Sequence, residues 1–322
     1  MKTLLQKPWI WALFGILALW ILLSIGAGRV SLGNLTGILA AAALLCVVAI
    51  GQTFVVTTGN GAVDLSIPSV MTLSGFVATS VTNGQDARLP LGILAIAVLG
   101  VGVGWINALI VNRLRIPPII ATLAVGYILV TATLIYNRGF TTYAVSPLLA
   151  YIASGRVVGI PIILLLAIAL TAAASWFMHG TVYGRQLSAV GQNSRAAYFA
   201  GIKVEQTTRV AYILSGFLAA LGGLLLSGRV SGAFLEMGTP FLLQSVGAVV
   251  VGGSSIVGGM GTPLGTLLGS IFLAMIVTTM AVLRVPGGFQ DMIQGILIIL
   301  VLAVAAAPKA SSSIAPAKQP AN

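Results

Sequence analysis

The chain is short of charge. Of its 322 residues, 7% are Asp, Glu, Lys or Arg, where a soluble domain carries about 25%. Together with a hydrophobic content of 58%, this shortage excludes an ordinary water-soluble globule and predicts a polytopic membrane protein. Acidic residues are scarcest, five against sixteen Lys and Arg, and they lie far apart in sequence. Histidine and cysteine occur once each, as His179 and Cys46. A single cysteine excludes an intrachain disulfide, and its place in an apolar run predicts a buried thiol. No His/Cys/carboxylate cluster has metal-ligand spacing. No G-x-S-x-G is present, and the glycine-rich stretch 252–265 lacks the G-K-[ST] ending of a phosphate loop. The chain is therefore read as no enzyme, without catalytic residue, metal or cofactor. Its net charge of +11 does not point to nucleic acid, because the basic residues are scattered through short loops instead of forming a stripe.

What is present in quantity is apolar sequence. A helix needs about 20 such residues to cross a bilayer. On that basis the chain is all-α, with about ten spans at 9–27, 35–58, 67–83, 89–111, 117–136, 159–178, 208–228, 240–257, 263–283 and 289–307. The third and eighth are short and flanked by glycine-rich polar segments. A short helix is expected over 146–153, and the tail 309–322 reads as disordered. Lys2 and Lys7 precede the first run, which is longer than a signal-peptide core and reads as a retained helix. Pro68, Pro90, Pro117, Pro118, Pro161, Pro240, Pro263 and Pro286 fall at span starts, where the missing N–H is not needed. Thr239-Pro240 and Thr262-Pro263 read as N-cap followed by first helical residue. With the N-terminus inside, ten basic residues fall on the cytoplasmic side and six outside, which predicts both termini to be cytoplasmic. Gly261, Gly265 and Gly269 form a doubled GxxxG, the pattern by which membrane helices approach closely. Ser215/Ala219/Gly223 and the shorter Gly100/Gly104 form small-residue stripes of the same kind.

Three polar interruptions are the candidates for function. The longest, 181–208, carries Arg185, Arg195, Lys203 and Glu205. Inside it, Asn193 or Ser194 can cap a helix that Gly201 stops. Such a helix is too short to persist alone, and Tyr198 and Phe199 suit a partner surface. An ordinary basic loop is the competing reading. The other two are broken, glycine-rich segments: TTGNGAVDLSIP, with Asn60, Asp64 and Ser66, and GGSSIVGGMGTP, with Ser254 and Ser255. Irregular backbone at membrane depth survives only where protein or a water-filled cavity satisfies it, so these five residues are candidates for a substrate path. For Asp64 two roles stand open, solute contact and capping of the helix that begins at 67.

Read together, the interruptions resemble one family. TTGNGAVDLSIPSVMTLSG is similar to the T-G-G-I-D-L-S segment of the ribose-type permeases of ABC sugar importers. NALIVNRLRIPPIIATL, YGRQLSAVGQNSRAAYFAGIKV and VGAVVVGGSSIVGGMGTPLGTLLG resemble that family's further motifs, in family order. The chain departs at Asn60, in its glycine spacing there, and at Pro68, where the family usually has glycine. The resemblance implies one transmembrane permease domain over 1–308 in a bacterial inner membrane. It implies a second permease subunit, identical or homologous, an ATP-binding cassette subunit, and a periplasmic or lipid-anchored sugar-binding protein. It implies that 181–208 couples to the ATPase, with Gly191, Asn193, Ala196, Ala197 and Gly201 matching the motif and Tyr198 and Phe199 as anchors. The implied cargo is a pentose, hexose or similar polyol, the alternative being a furanosyl signal or a nucleoside. An ion-coupled transporter would need more intramembrane ionisable groups than Asp64 and Asp291.

Overall fold

A computed structural model describes residues 9–26, 32–139 and 144–306. The tail 309–322 and Lys2 and Lys7 lie outside the described residues. The described chain is α1 (Ile10–Gly26), α2 (Leu32–Thr57), α3 (Ile67–Thr82), a 3₁₀ turn (Asp86–Arg88), α4 (Leu89–Arg113), α5 (Pro118–Arg138), α6 (Pro147–Ser154), α7 (Ile162–Gly180), α8 (Val182–Gln192), α9 (Ser194–Phe199), α10 (Val204–Val230), α11 (Phe241–Val251), α12 (Pro263–Val282) and α13 (Gly287–Ala306). One two-residue hairpin, β1 (Arg156–Val157) and β2 (Ile160–Pro161), joins α6 to α7. Among the described residues six helices are long and apolar enough to cross a membrane: α2, α4 with its 3₁₀ turn, α5, α7, α10 and α12. Three further apolar helices are shorter, α1, α3 and α11.

Local chemistry accounts for the ends. Pro68, Pro90, Pro118, Pro147 and Pro263 sit in first turns, as their missing donor requires. Ser146 caps α6, its hydroxyl accepting from the Leu149 amide at 3.2 Å. Of the two expected Thr-Pro caps, one moves by a residue and the other keeps its place without a side-chain capping bond. At Thr239-Pro240 the N-cap position is Pro240 itself. Thr262 holds the N-cap position of α12, but its hydroxyl donates to the Gly252 carbonyl at 2.9 Å, because the last carbonyls of α11 have no intrahelical partner. The apolar run 240–257 is helical only to Val251. There Gly253 turns left-handed (φ +84°), and the amides of Gly253 and Ser254 bond back to Val250 and Val249, which ends the helix.

The core is built around α10, which packs on α2, α3, α4 and α6. Small residues let it approach. A Cβ on Gly100 would lie 2.5 Å from the Gly216 carbonyl oxygen, and one on Gly104 would lie 2.3 Å from that of Tyr212. Gly223 meets α3 at Met71 in the same way. The doubled GxxxG faces this chain's own helices. Gly261 meets Thr57, Gly265 lies against the Gly252 carbonyl and Gly269 against that of Ala248. Gly265 and Gly269 thus fasten α12 to α11, and Gly261, just before α12, fastens its start to the end of α2.

Candidate functional site

At one end of the bundle α8 and α9 form a short amphipathic pair. Thr181 caps α8, accepting from Gly184 N at 3.3 Å. The Tyr183 hydroxyl donates to the Thr207 carbonyl at 3.1 Å, and burial pushes that phenol above its ordinary range, which keeps it a donor. Asn193 caps α9, its side-chain oxygen accepting from Ala196 N at 2.9 Å. Gly201, at φ +82°, stops it: the amides of Gly201 and Ile202 return to the carbonyls of Tyr198 and Ala197 at 3.0 Å each, the reciprocal pair of a left-handed cap. Ala197 is 4% exposed and faces inward, whereas Tyr198 and Phe199 are 69% and 76% exposed and meet edge to face, 5.9 Å between centroids. Beside them a surface depression of about 740 Å³ is lined by Arg195, Tyr198, Lys203 and Glu205.

Both broken segments reach this end. Gly59, Asn60 and Gly61 are consecutively left-handed and reverse the chain after α2. Gly59 packs on Gly191, the penultimate residue of α8, and Gly258 packs on both. The Gly259 amide donates to the Thr57 carbonyl at 3.0 Å, and a Cβ on Gly191 would lie 1.9 Å from that same oxygen. The three interruptions, distant in sequence, are therefore in backbone contact.

Deeper in the bundle, Asp64 is 1% exposed. Its Oδ1 accepts the Ser66 amide at 3.0 Å and the Ser66 hydroxyl at 2.6 Å, and its Oδ2 accepts the Ser215 hydroxyl at 2.7 Å. Asn107 donates to Ser66 Oγ at 2.8 Å, and Gln52 Oε1 accepts the Asp64 amide at 3.2 Å. One carboxylate thus ties the start of α3 to α10 directly, to α4 through Ser66 and to α2 through its own amide. Gln52 Nε2, Asn107 Oδ1 and the Tyr212 hydroxyl are buried in the same region without a partner.

A separate groove runs between α3, α5 and the segment 231–240. It comprises two adjoining hollows of about 110 and 180 Å³ that share Pro68, Ser69, Val130 and Thr239, with room for several waters. Thr72, Thr133, Tyr127 and Glu236 complete its polar lining.

A family model described as branched-chain amino acid transport system / permease component matches residues 34–302. The chain belongs to this permease family. It is 31% identical over 308 residues to the ribose import permease protein RbsC of Escherichia coli K12, covering 92% of this chain and 94% of that one. It is 32% identical over 303 residues to the autoinducer 2 import system permease protein LsrC of Klebsiella pneumoniae, covering 94% and 87%. RbsC of Haemophilus influenzae is 33% identical over 283 residues, covering 85% of each chain. No solved structure matches.

In the permease the five residues read as a substrate path do not share one lining. Asn60 is exposed beside α8. Asp64 and Ser66 belong to the buried network, where Asp64 is bonded on both oxygens and precedes the N-cap position, which Ser66 occupies. Ser254 is buried, and its hydroxyl accepts from Thr262 N at 3.0 Å. The Ser255 amide bonds the Met260 carbonyl at 2.9 Å across a turn. The coupling set is brought together but divides, with Tyr198 and Phe199 outward and Ala197 inward. Sequence reasoning missed Gln52, Asn107 and Tyr212, and it read Ser215 only as a small residue. Their signal was polar side chains inside apolar runs. It also missed α8, and Glu236.

Proposed function

We propose that the permease is the membrane subunit of an ATP-driven importer of a monosaccharide, and that α9 docks into a separate ATP-binding subunit. The supporting observation is α9 itself: capped at both ends, seated by Ala197, and presenting two large aromatics to solvent at the basic end of the bundle. Exposed aromatics on a rigid helix are what a partner groove takes as anchors. On this reading that end is cytoplasmic, both termini of the 1–308 domain lie on that side with the tail 309–322, and the protein resides in a bacterial inner membrane. A second permease subunit and an extracytoplasmic sugar-binding protein complete the assembly. The monosaccharide reading draws on similarity to ribose import permeases. The autoinducer 2 relatives support a second reading, a furanosyl signal of similar size and hydroxyl content. Ion coupling is disfavoured by Asp64, whose oxygens are already taken up by protein donors.

The test is to purify the permease from its native membrane together with the ATP-binding and binding-protein subunits that associate with it. Phe199→Ala or Tyr198→Ala should each weaken ATPase-subunit binding by about 2 kcal/mol, roughly thirtyfold, leaving membrane insertion intact. Arg195→Ala, at the rim, should change it by a few-fold at most. Ala197→Trp is the wrong probe, since Ala197 is buried within the permease and the larger ring would unseat α9. Intact complexes from both aromatic variants would remove the docking role. Mass spectrometry of the solute carried by the binding protein decides between monosaccharide and furanosyl signal.

A further inference from the structure

Glu236 stands at an unexpected depth. The segment after α10 folds back into the bundle. Met237 packs on Gly75, Gly238 packs on Pro68, and the Gly238 amide donates to Thr72 Oγ1 at 3.1 Å. Pro68 is 14 residues from Thr82, at the other end of α3, so at 1.5 Å per residue Gly238 lies about 21 Å below that end. The next helix, α11, starts from this depth. Glu236 is nevertheless exposed, in the groove that also holds Ser69, Thr133 and Thr239. An exposed carboxylate at such depth does not face lipid; it marks a watered path or a protein partner.

Three further features converge there. The first turns of two short helices, α3 and α11, open on the groove through Pro68, Ser69 and Leu242, so both turn the positive end of a helix dipole toward a solute there. The Thr72 and Thr133 hydroxyls are engaged by the carbonyls of Pro68 and Leu129, which leaves those of Ser69 and Thr239 for a solute. Glu236 itself is left-handed, at φ +65°. A glutamate there costs stability that glycine would not, and a costly backbone state at a groove points to function.

We propose that Glu236 is a cargo-recognition residue of the translocation path, accepting hydroxyl hydrogens of a polyhydroxylated solute as it passes along the groove that α3, α5 and 231–240 line. This rests on the import reading above. It assigns a side to α5: Leu123, Tyr127, Val130 and Leu134 recur at helical spacing and line the groove, while Ile128 lines neither hollow and stands on another face of the helix.

The experiment uses the assembled importer in proteoliposomes with a Cys46→Ala permease. A charged, membrane-impermeant methanethiosulfonate reacts with thiolate, which forms in water and not in lipid. Val130→Cys should be modified at least tenfold faster than Ile128→Cys; equal inertness overturns the proposal. In parallel, Glu236→Gly removes the carboxylate while suiting the backbone. Its complex should unfold at the same or a higher temperature than wild type, yet move D-ribose about tenfold more slowly. Wild-type transport by this variant would overturn the role, and so would a fall in Tm accompanying the loss, because that is what a merely structural residue gives. A wild-type complex that moves no D-ribose counts against ribose as the cargo alone; the Glu236→Gly comparison is then made with the solute found on the binding protein, and the labelling contrast still decides the groove.

Discussion

Asp64→Leu is expected to remove most folded permease from the membrane, whereas Asp64→Asn is expected to leave it assembled and transporting. The difference lies in the donors that each variant strands. Leucine takes the acceptor from the Ser66 amide, the Ser66 hydroxyl and the Ser215 hydroxyl, all buried. At about 1–3 kcal/mol for each buried group left without a partner, the cost is about 3 kcal/mol or more, a large share of the stability of a typical domain. Asparagine keeps one oxygen for both Ser66 donors. Only the Ser215 contact changes character, and the serine hydroxyl can rotate to accept from the new amide, so the cost is about 1 kcal/mol. Ser215→Ala, which deletes one donor and leaves the carboxylate with two others, should resemble Asp64→Asn. Thermal unfolding of the purified complex separates these outcomes. An Asp64→Leu complex with wild-type Tm would show that the carboxylate does not hold α3, α4 and α10 together.

This dependence was half legible in the sequence. A lone carboxylate in a glycine-rich break stood out against so few acidic residues, and both readings of it, cap and solute contact, were local. The partners that decide its role come from α4 and α10, at Asn107 and Ser215, more than 40 residues away, and no periodicity reports such pairings. The α9 caps were readable because they depend on residues within eight positions, Asn193 to Gly201. The doubled GxxxG was readable as a close contact, but not the surface it meets. Depth was not legible at all. An apolar run starting at Pro240 looks the same whether its helix begins at the membrane surface or halfway through, and only the fold-back of 231–240 shows the latter. For that reason Glu236, outside every motif, drew no attention, while Ser254 and Ser255, inside one, turned out to shape a turn.

The contact among the three interruptions leads to the other large effect. Gly191→Ala should uncouple transport from ATP hydrolysis. The added methyl would have to sit 1.9 Å from the Thr57 carbonyl oxygen and 2.3 Å from the Gly259 amide nitrogen, on the hydrogen bond that joins these two groups at 3.0 Å. Backbone on both sides leaves no flexible side chain to yield, so α8 must back away from the end of α2 and from the glycine-rich segment that follows α11. Overpacking of this kind costs about 1–3 kcal/mol, which a bundle with an intact α10 core survives. What it should lose is the close backbone contact between the end of α8, at Gly191 and Gln192, and the broken segments. If α9 is the docking helix, motion of the ATPase subunit would then still reach α7 and α10, on which α8 also packs, but would no longer reach the broken segments through the glycine junction. The expected phenotype is an assembled complex whose ATP hydrolysis continues but no longer responds to the loaded binding protein, with uptake reduced at least tenfold. Gly201→Ala is the informative contrast. Nothing lies within 4 Å of its Cβ position, so the change costs only the left-handed strain of about 1 kcal/mol and should weaken docking slightly without uncoupling. Gly265→Ala tests the neighbouring contact: its methyl would meet the Gly252 carbonyl oxygen at 1.8 Å, prising α12 from α11 without touching α8. Loss of stability with normal coupling in Gly265→Ala, and loss of coupling with modest loss of stability in Gly191→Ala, is the pattern the geometry requires. If the two variants behave alike, the glycine junction transmits nothing and serves only to pack helix ends.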